Sequence, residues 1–299
     1  MPVYVKSGGT WRETSELYVR DSTSYTNKTI LNGYIKQSGA WEEFYTLFTT
    51  TSFSQATGSV VVPSGANAIH FQYAVGGGSG GMRGADYDKA GGESAGPAGA
   101  SGAYLSDVVF SVTAGETLTV TAGSSGSAGS GVYNGSSGAG GNTTVTGTTT
   151  GPILTLNGGG SASVSGGGVQ GPLRTNTAST GGTLGTLATR LTSGTTTDGL
   201  DITTFNSGPA NSFNAAGAGV AGTNPGNCGG DNCTIGGGVG GASYNGFAGT
   251  GGTSGSNGNT AGGDGSRGGG GGGGGTEPGS SQGGDGGAGE VNYRFMRIT

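Results

Sequence analysis

The sequence predicts an all-β chain in two parts: a small N-terminal β-hairpin module over residues 1–50, and a glycine-rich, β-sandwich-like domain over residues 51–299 with packed polyglycine-II-type excursions. Three observations predict it. Short runs alternate apolar and polar residues with period two, the mark of half-buried strands. No run after residue 50 keeps a 3.6-residue period. Glycine supplies 75 of the 299 residues, several times its ordinary share of about 7%.

The N-terminal part carries an imperfect repeat. Val3-Tyr4-Val5-Lys6-Ser7-Gly8-Gly9-Thr10-Trp11-Arg12-Glu13 reads as strand, glycine turn, strand. Gly33-Tyr34-Ile35-Lys36-Gln37-Ser38-Gly39-Ala40-Trp41-Glu42-Glu43 repeats it, and Leu17-Tyr18-Val19-Arg20-Asp21-Ser22 is a half-copy between them. Alternation around such turns signals hairpins. The tryptophans and tyrosines can serve as the module's own core or grip a partner, and the two readings are compatible. Fifty residues rarely hold a stable core alone. Tyr4, Trp11, Tyr18, Tyr34 and Trp41 are therefore the candidate docking residues.

The second part opens with Ser59-Val60-Val61-Val62-Pro63, a strand stopped by proline. Ala68 to Val75 alternates, with Ile69, Phe71, Tyr73 and Val75 expected on one face and His70 and Gln72 on the other. Val108, Phe110 and Val112 alternate, Ala114-Gly115-Glu116 turns, and Leu118-Thr119-Val120 returns. Ile153-Leu154-Thr155-Leu156 is a further strand. The chain closes on Val291, Tyr293 and Phe295, which alternate with Asn292, Arg294 and Met296. This last strand is expected to complete the sheet begun at Val60 and Ile69. Residues 76–102, 121–150 and 157–289 are then glycine-rich excursions from one domain.

Those excursions carry a thermodynamic problem. Ordering a glycine in regular structure costs roughly 0.5–1 kcal/mol more than ordering alanine. Over 75 glycines that is several times the usual net stability of about 5–15 kcal/mol. Either the tracts are disordered, or they pack in a way that only glycine permits: in bundled polyproline-II-type helices a missing side chain lets backbones touch and exchange hydrogen bonds. The tract from Gly262 to Gly289, with eight consecutive glycines from Gly268 to Gly275, is expected to be ordered in this way.

Charge and composition exclude several classes. The net charge is −5, no basic run exists, and no lysine follows Lys89, which argues against a nucleic-acid binder. No stretch of about 20 apolar residues suggests membrane insertion. Met1-Pro2-Val3-Tyr4-Val5-Lys6 does not read as a secretory signal. The sole histidine, His70, has no nucleophile suggested near it and reads as structural. Cys228 and Cys233 are read as a small disulfide loop or two free thiols, since a zinc site would lack further ligands. Gly263-Asp264-Gly265 and Gly284-Asp285-Gly286 faintly resemble calcium-binding repeats but lack the nine-residue period. Gly96-Pro97-Ala98-Gly99-Ala100-Ser101-Gly102 mimics collagen for two triplets, too few for a triple helix. Asp86, Asp88 and Glu93 near Tyr87 read as a solvated tip rather than a glycosidase pair. No cofactor, metal or catalytic residue is expected.

Several stretches resemble a known family. Val60-Val61-Val62-Pro63-Ser64-Gly65-Ala66-Asn67-Ala68-Ile69, leading to Gly76-Gly77-Gly78, resembles the opening of phage glycine-rich tail domains. Phe110-Ser111-Val112-Thr113-Ala114-Gly115-Glu116-Thr117-Leu118-Thr119-Val120-Thr121-Ala122-Gly123 and the ending Gly283-Gly284-Asp285-Gly286-Gly287-Ala288-Gly289-Glu290-Val291 resemble the same family. The N-terminal repeat is similar to segments of phage tail and appendage proteins. The resemblance implies a structural virion protein of the tail fibre or tail tip, with tail-fibre-tip adhesins of T-even-like phages in the family. Those adhesins bundle polyglycine-II helices, and loops between the helices touch host receptors. They attach through a different N-terminal region, and their receptor loops share no motif to transfer.

On that reading the chain is an adhesin of the virion, assembled in the host cytoplasm. Residues 1–50 face other tail or fibre proteins, and a host cell-surface receptor is the outer partner. A homo-oligomer is compatible with it. The isolated aromatics Tyr87, Tyr133, Phe205, Phe213, Tyr244 and Phe247 are the candidate receptor contacts, since aromatics on small-residue surfaces make natural binding elements. The alternatives are a purely architectural baseplate, collar or capsid-decorating protein, a host-polysaccharide depolymerase, and a free glycine-rich protein such as an ice binder or wall protein.

Overall fold

The computed structural model describes the strands within residues 3–54, and residues 57–84, 95–131, 134–166, 175–177, 179–195, 202–204, 238, 240–241, 261–274 and 282–298. Within the first part lie β1 (Val3–Ser7), β2 (Thr10–Thr14), β3 (Tyr18–Asp21), β4 (Ser24–Asn27), β5 (Asn32–Gln37) and β6 (Ala40–Thr46). They form three separate antiparallel pairs, β1–β2, β3–β4 and β5–β6. The first and third share a register: Tyr4 lies opposite Glu13 and Lys6 opposite Trp11, as Tyr34 lies opposite Glu43 and Lys36 opposite Trp41. The half-copy at Leu17 is a full hairpin, because Ser24 to Asn27 supplies a second strand that polar sequence had hidden.

The second part holds β7 (Thr50–Ser54), β8 (Thr57–Val61), β9 (Ala68–Val75), β10 (Tyr104–Ser111), β11 (Thr117–Thr121), β12 (Gly135–Ser136), β13 (Thr143–Gly147), β14 (Gly151–Leu156), β15 (Ser163–Ser165), β16 (Thr175–Thr177), β17 (Leu184–Leu187) and β18 (Glu290–Met296). One sheet runs β10-β9-β18-β7 and another β17-β14-β13-β11-β8. One apolar core joins them: Ile69, Phe71, Val108, Phe110, Val291, Tyr293 and Phe295 from the first sheet meet Leu118, Val120, Val145, Leu154 and Leu156 from the second. The chain is all-β, as predicted, with one three-residue 3-10 turn at Ile202–Thr204 among the described residues.

The final strand does pair with the strand of Ile69, and β7 flanks it on the other side. Val60 belongs to the other sheet, where β8 pairs with β11. Pro63 ends β8, and the turn through Gly65 at φ 85 sends the chain across the sandwich rather than back along the same sheet. A bulge alters the expected alternation in β9. Its register against β18 shifts between Asn292 and Tyr293, so Gln72 is the extra residue. Across from it, Asp107 of β10 takes φ 50. An extra residue flips every side chain beyond it. Ile69 and Phe71 therefore share the core with Ala74, while Tyr73 and Val75 leave it. The predicted excursion 121–150 is interrupted by β13, which closes a hairpin with β14, and 157–289 contains β15, β16 and β17.

The glycine-rich segments do not wander. Residues 76–83 run along the centre of a bundle, and hydrogen bonds link them to six neighbours. Gly78 and Gly81 donate to Gly287 and Gly284, Ser79 and Met82 to Ala100 and Pro97, and Gly77 and Gly80 to Gly141 and Gly138. In return Gly126 and Gly129 donate to Gly78 and Gly81, Gly271 and Gly274 to Ser79 and Met82, and Gly159 to Gly77. Residues three apart use the same neighbour, the repeat of a polyproline-II-type helix. The six neighbours also bond to one another in a closed ring. Gly286 donates to Gly126, Gly138 to Ser127, Gly140 to Gly159, Ala103 to Asn157, Gly99 to Gly271 and Gly284 to Gly272. Six helices around one is hexagonal packing. Among the described residues three further segments lie outside the ring: 179–183 against 157–162 and 95–103, the stretch at Gly238 and Gly241 against 95–103 and 268–274, and 261–266 against 268–274 and 282–289.

Only glycine fits the inward positions of this lattice. A Cβ built on Gly78, Gly81, Gly99 or Gly270 would lie well inside 3.0 Å of the carbonyl of Gly269, Gly272, Ser79 or Gly99, respectively. The collagen-like triplets Gly96, Gly99 and Gly102 are thus lattice positions, each donating to residues 274, 271 and 268. The eight-glycine tract is ordered over its described part, Gly268 to Gly274, as expected from its composition.

Candidate functional site

The bundle has two unlike ends. At one end its helices continue into the sandwich, at residues 75–76, 103–104, 142–143, 156–157 and 289–290. Thr143 ties this junction: its hydroxyl donates to Val75 O at 2.6 Å and accepts from Gly123 N at 2.8 Å. At the other end the described chain stops at 84, 131, 166 and 274 and resumes at 95, 134, 175 and 282. The small sheet β12-β15-β16 sits there, and Met82, Ala162 and Val164 close the lattice beneath it. β7 enters the sandwich with Thr50 opposite Arg294, near the end of β18 farthest from the bundle. The domain therefore has a sheet pole, where the chain arrives, and a bundle pole, where the helices are joined.

A second feature is a polar network on the outer face of the four-stranded sheet. Arg294 Nε donates to His70 Nδ1 at 3.0 Å, and His70 Nε2 lies 3.3 Å from Asp107 Oδ1. That arrangement fixes the neutral tautomer with its proton on Nε2. Burial, with Arg294 adding to it, pushes the His70 pKa down to about 3. Burial also raises Asp107 above the ordinary carboxylate range, against the pull of Arg294. Nearer the bundle, Tyr73 donates to Glu290 at 2.5 Å, and Arg267 Nε lies 3.2 Å from Glu290 Oε2. Burial and the Glu290 contact push Tyr73 up to about 12. Asp107 and Arg267, the two non-glycine residues at positive φ among those described, both belong to this network. Both imidazole nitrogens are engaged within the fold, so His70 is held as a structural link. One side of the network is sealed by Ala68, Val109, Ile202 and Met296.

The sequence-predicted site residues fall in two sets. Tyr4, Trp11, Tyr18, Tyr34 and Trp41 are placed on β1, β2, β3, β5 and β6 at backbone level. Tyr87, Tyr133, Phe205, Phe213, Tyr244 and Phe247, with Cys228, Cys233, Asp86, Asp88 and Glu93, lie outside the described residues. Tyr87 and Tyr133 belong in sequence to the connections 85–94 and 132–133, which join helices at the bundle pole. The charged network was missed by sequence reasoning, because its members lie up to 224 residues apart. The aspartates of the Gly-Asp-Gly motifs accept from backbone amides. Asp285 Oδ1 accepts from Ala128 N at 2.6 Å, and Asp264 Oδ1 accepts from Asp285 N at 2.8 Å.

A sequence profile of a glycine-rich domain matches residues 50–296, which takes in the sandwich and the bundle and leaves out the three hairpins. No curated protein matches the chain.

Proposed function

The chain belongs to the glycine-rich domain family, and from that premise we propose that it is a structural virion protein of a phage tail fibre or tail tip, acting as a host-receptor-binding adhesin. The single observation that carries the reading is the polarity of the domain. Where the chain arrives, at Thr50, is the pole farthest from the bundle. The joined ends of the lattice helices lie at the other pole, on a rigid scaffold. Variable connections held by a rigid scaffold are a common arrangement for binding sites. The N-terminal hairpins are then the docking module for other tail proteins, and the connections carrying Tyr87 and Tyr133 face the receptor. The test is competition. Purified full-length chain, added to host cells before the phage that encodes it, should block adsorption, and antibody against residues 1–50 should decorate the tail of intact virions. A chain that neither blocks adsorption nor occurs in virions would overturn the proposal. Virion labelling without competition would leave an architectural role instead. A truncation starting at residue 50, which keeps β7 whole, should fold and compete yet fail to join the particle.

A further inference from the structure

The outer helices of the lattice follow a rule that the inner ones do not. In 123–131, glycines 123, 126 and 129 are buried, and Ser124, Ser127 and Ser130 are exposed. In 282–289, glycines 283, 284, 286 and 287 are buried, and Gln282 and Asp285 are exposed. In 261–266 the exposed residues are Ala261, Asp264 and Ser266. These three helices lie side by side, since Gly286 donates to Gly126 and Gly262 to Gln282. They form one flat face whose two grooves are where the next lattice helices would sit.

A lattice helix recruits a neighbour through backbone amides that point outward, in the way an open sheet edge recruits a strand. On this face two of those amides, on Ala128 and Asp285, are already taken. Asp285 reaches across the first groove to accept from Ala128 N, and Asp264 reaches across the second to accept from Asp285 N. Each carboxylate thus occupies a place where a further helix would bring its own carbonyl. On a neighbouring face Asn142 Oδ1 accepts from Gly158 N at 3.1 Å in the same manner. A carboxylate suits the task, being an acceptor that offers no donor in return.

We propose that Asp264 and Asp285 are lattice terminators: they close the growth face of the bundle against the glycine helices of a second copy of this chain. The Gly-Asp-Gly spacing follows from that role. The flanking glycines keep the helix in the lattice, and the aspartate sits at the one position in three that points outward. The inference does not depend on the tail-fibre reading.

Sedimentation velocity of the full-length protein tests it. The variant with both Asp264→Gly and Asp285→Gly should associate laterally, with weight-average mass rising about twofold or more as concentration increases, because a homo-oligomer forms once matching surfaces are exposed. Asp264→Asn with Asp285→Asn keeps both the outward side chain and the acceptor oxygen, and should sediment as the native chain does. If the double glycine variant sediments as the native chain, the proposal fails. It fails equally if the asparagine pair associates as strongly as the glycine pair, since like-charge repulsion would then be the cause. Should the double glycine variant not fold, Asp264→Gly alone, which removes one bond at the outermost helix, is read by the same two outcomes.

Discussion

The sandwich and the bundle satisfy the same backbone in opposite ways. In the sandwich, amides and carbonyls bond within each sheet, and stability rests on side chains such as Phe71, Phe110 and Tyr293 meeting between the sheets. The rings of Phe71 and Phe110 pack edge to face at 5.8 Å. In the bundle, backbone bonds radiate in every lateral direction, and each donated hydrogen bond of residues 76–83 goes to another helix. Room is left mainly for small side chains, such as Ala98, Ala100 and Ser101 on a ring helix, with Ser79 and Met82 filling gaps on the central one. The difference teaches what each part tolerates. A side-chain core accepts volume-conserving exchange. A backbone core accepts no added atom at its glycines.

That contrast breaks most sharply at the bundle centre. Gly81→Val places a branched side chain against the Gly272 carbonyl. Overpacking in an ordinary core costs about 1–3 kcal/mol, but here backbone itself must move, so a loss above about 4 kcal/mol or no folded protein is expected. Gly270→Val, against the Gly99 carbonyl, should behave alike. Chemical denaturation reads both, and unchanged midpoints would mean the lattice is loose. In the sandwich, Phe71→Ala should cost about 3–5 kcal/mol through a cavity, while Phe71→Leu should cost clearly less. A bundle glycine should show no such graded series.

The sequence revealed the sandwich strands wherever alternation held, as in Val108-Phe110-Val112 and Val291-Tyr293-Phe295. It misled at Tyr73, because a bulge at Gln72 is specified jointly by β10 and β18, which lie far away in the chain. It also hid β13, whose threonines look like linker until β14 pairs with them. The ordering of the glycine tracts was legible from composition, since glycine exceeds serine and charge is sparse, whereas soluble linkers dilute glycine with polar residues. Their hexagonal arrangement was not, because each helix finds its neighbours through backbone atoms that are identical in every residue. The charged network was invisible for a related reason: His70 reads as a lone residue until Arg294 and Asp107 are folded beside it. The aromatic contacts chosen from sequence lie outside the described residues.

A smaller effect distinguishes the two regions by pH. An unfolded imidazole titrates near 6.5, whereas burial and Arg294 push His70 down to about 3. Between those values the unfolded chain binds a proton that the fold refuses. The stability from keeping His70 neutral is therefore complete above about pH 6.5 and is lost progressively as pH falls through that window. Asp107, raised by burial against Arg294, contributes in the opposite sense at lower pH. Urea midpoints should fall between about pH 7 and pH 5 in the native chain and change less in His70→Gln. A variant with the same pH dependence as the native chain would remove His70 as the cause. The bundle glycine variants that fold should keep the native slope, because Gly81 and Gly270 meet only backbone atoms, those of residues 271–272 and 99–100.

Native-state amide hydrogen exchange tests the central claim most directly, by comparing the central helix with the sandwich core. The amides of Ser79, Gly80, Gly81 and Met82 are each bonded to a different neighbour helix or a different turn of one. If backbone packing makes the bundle a true core, these amides should exchange only through global unfolding, with the same protection free energy as the amides of Val108 and Phe110 in β10. Exchange at the central helix that is orders of magnitude faster than in β10 would mean that the lattice opens on its own, and would contradict the account.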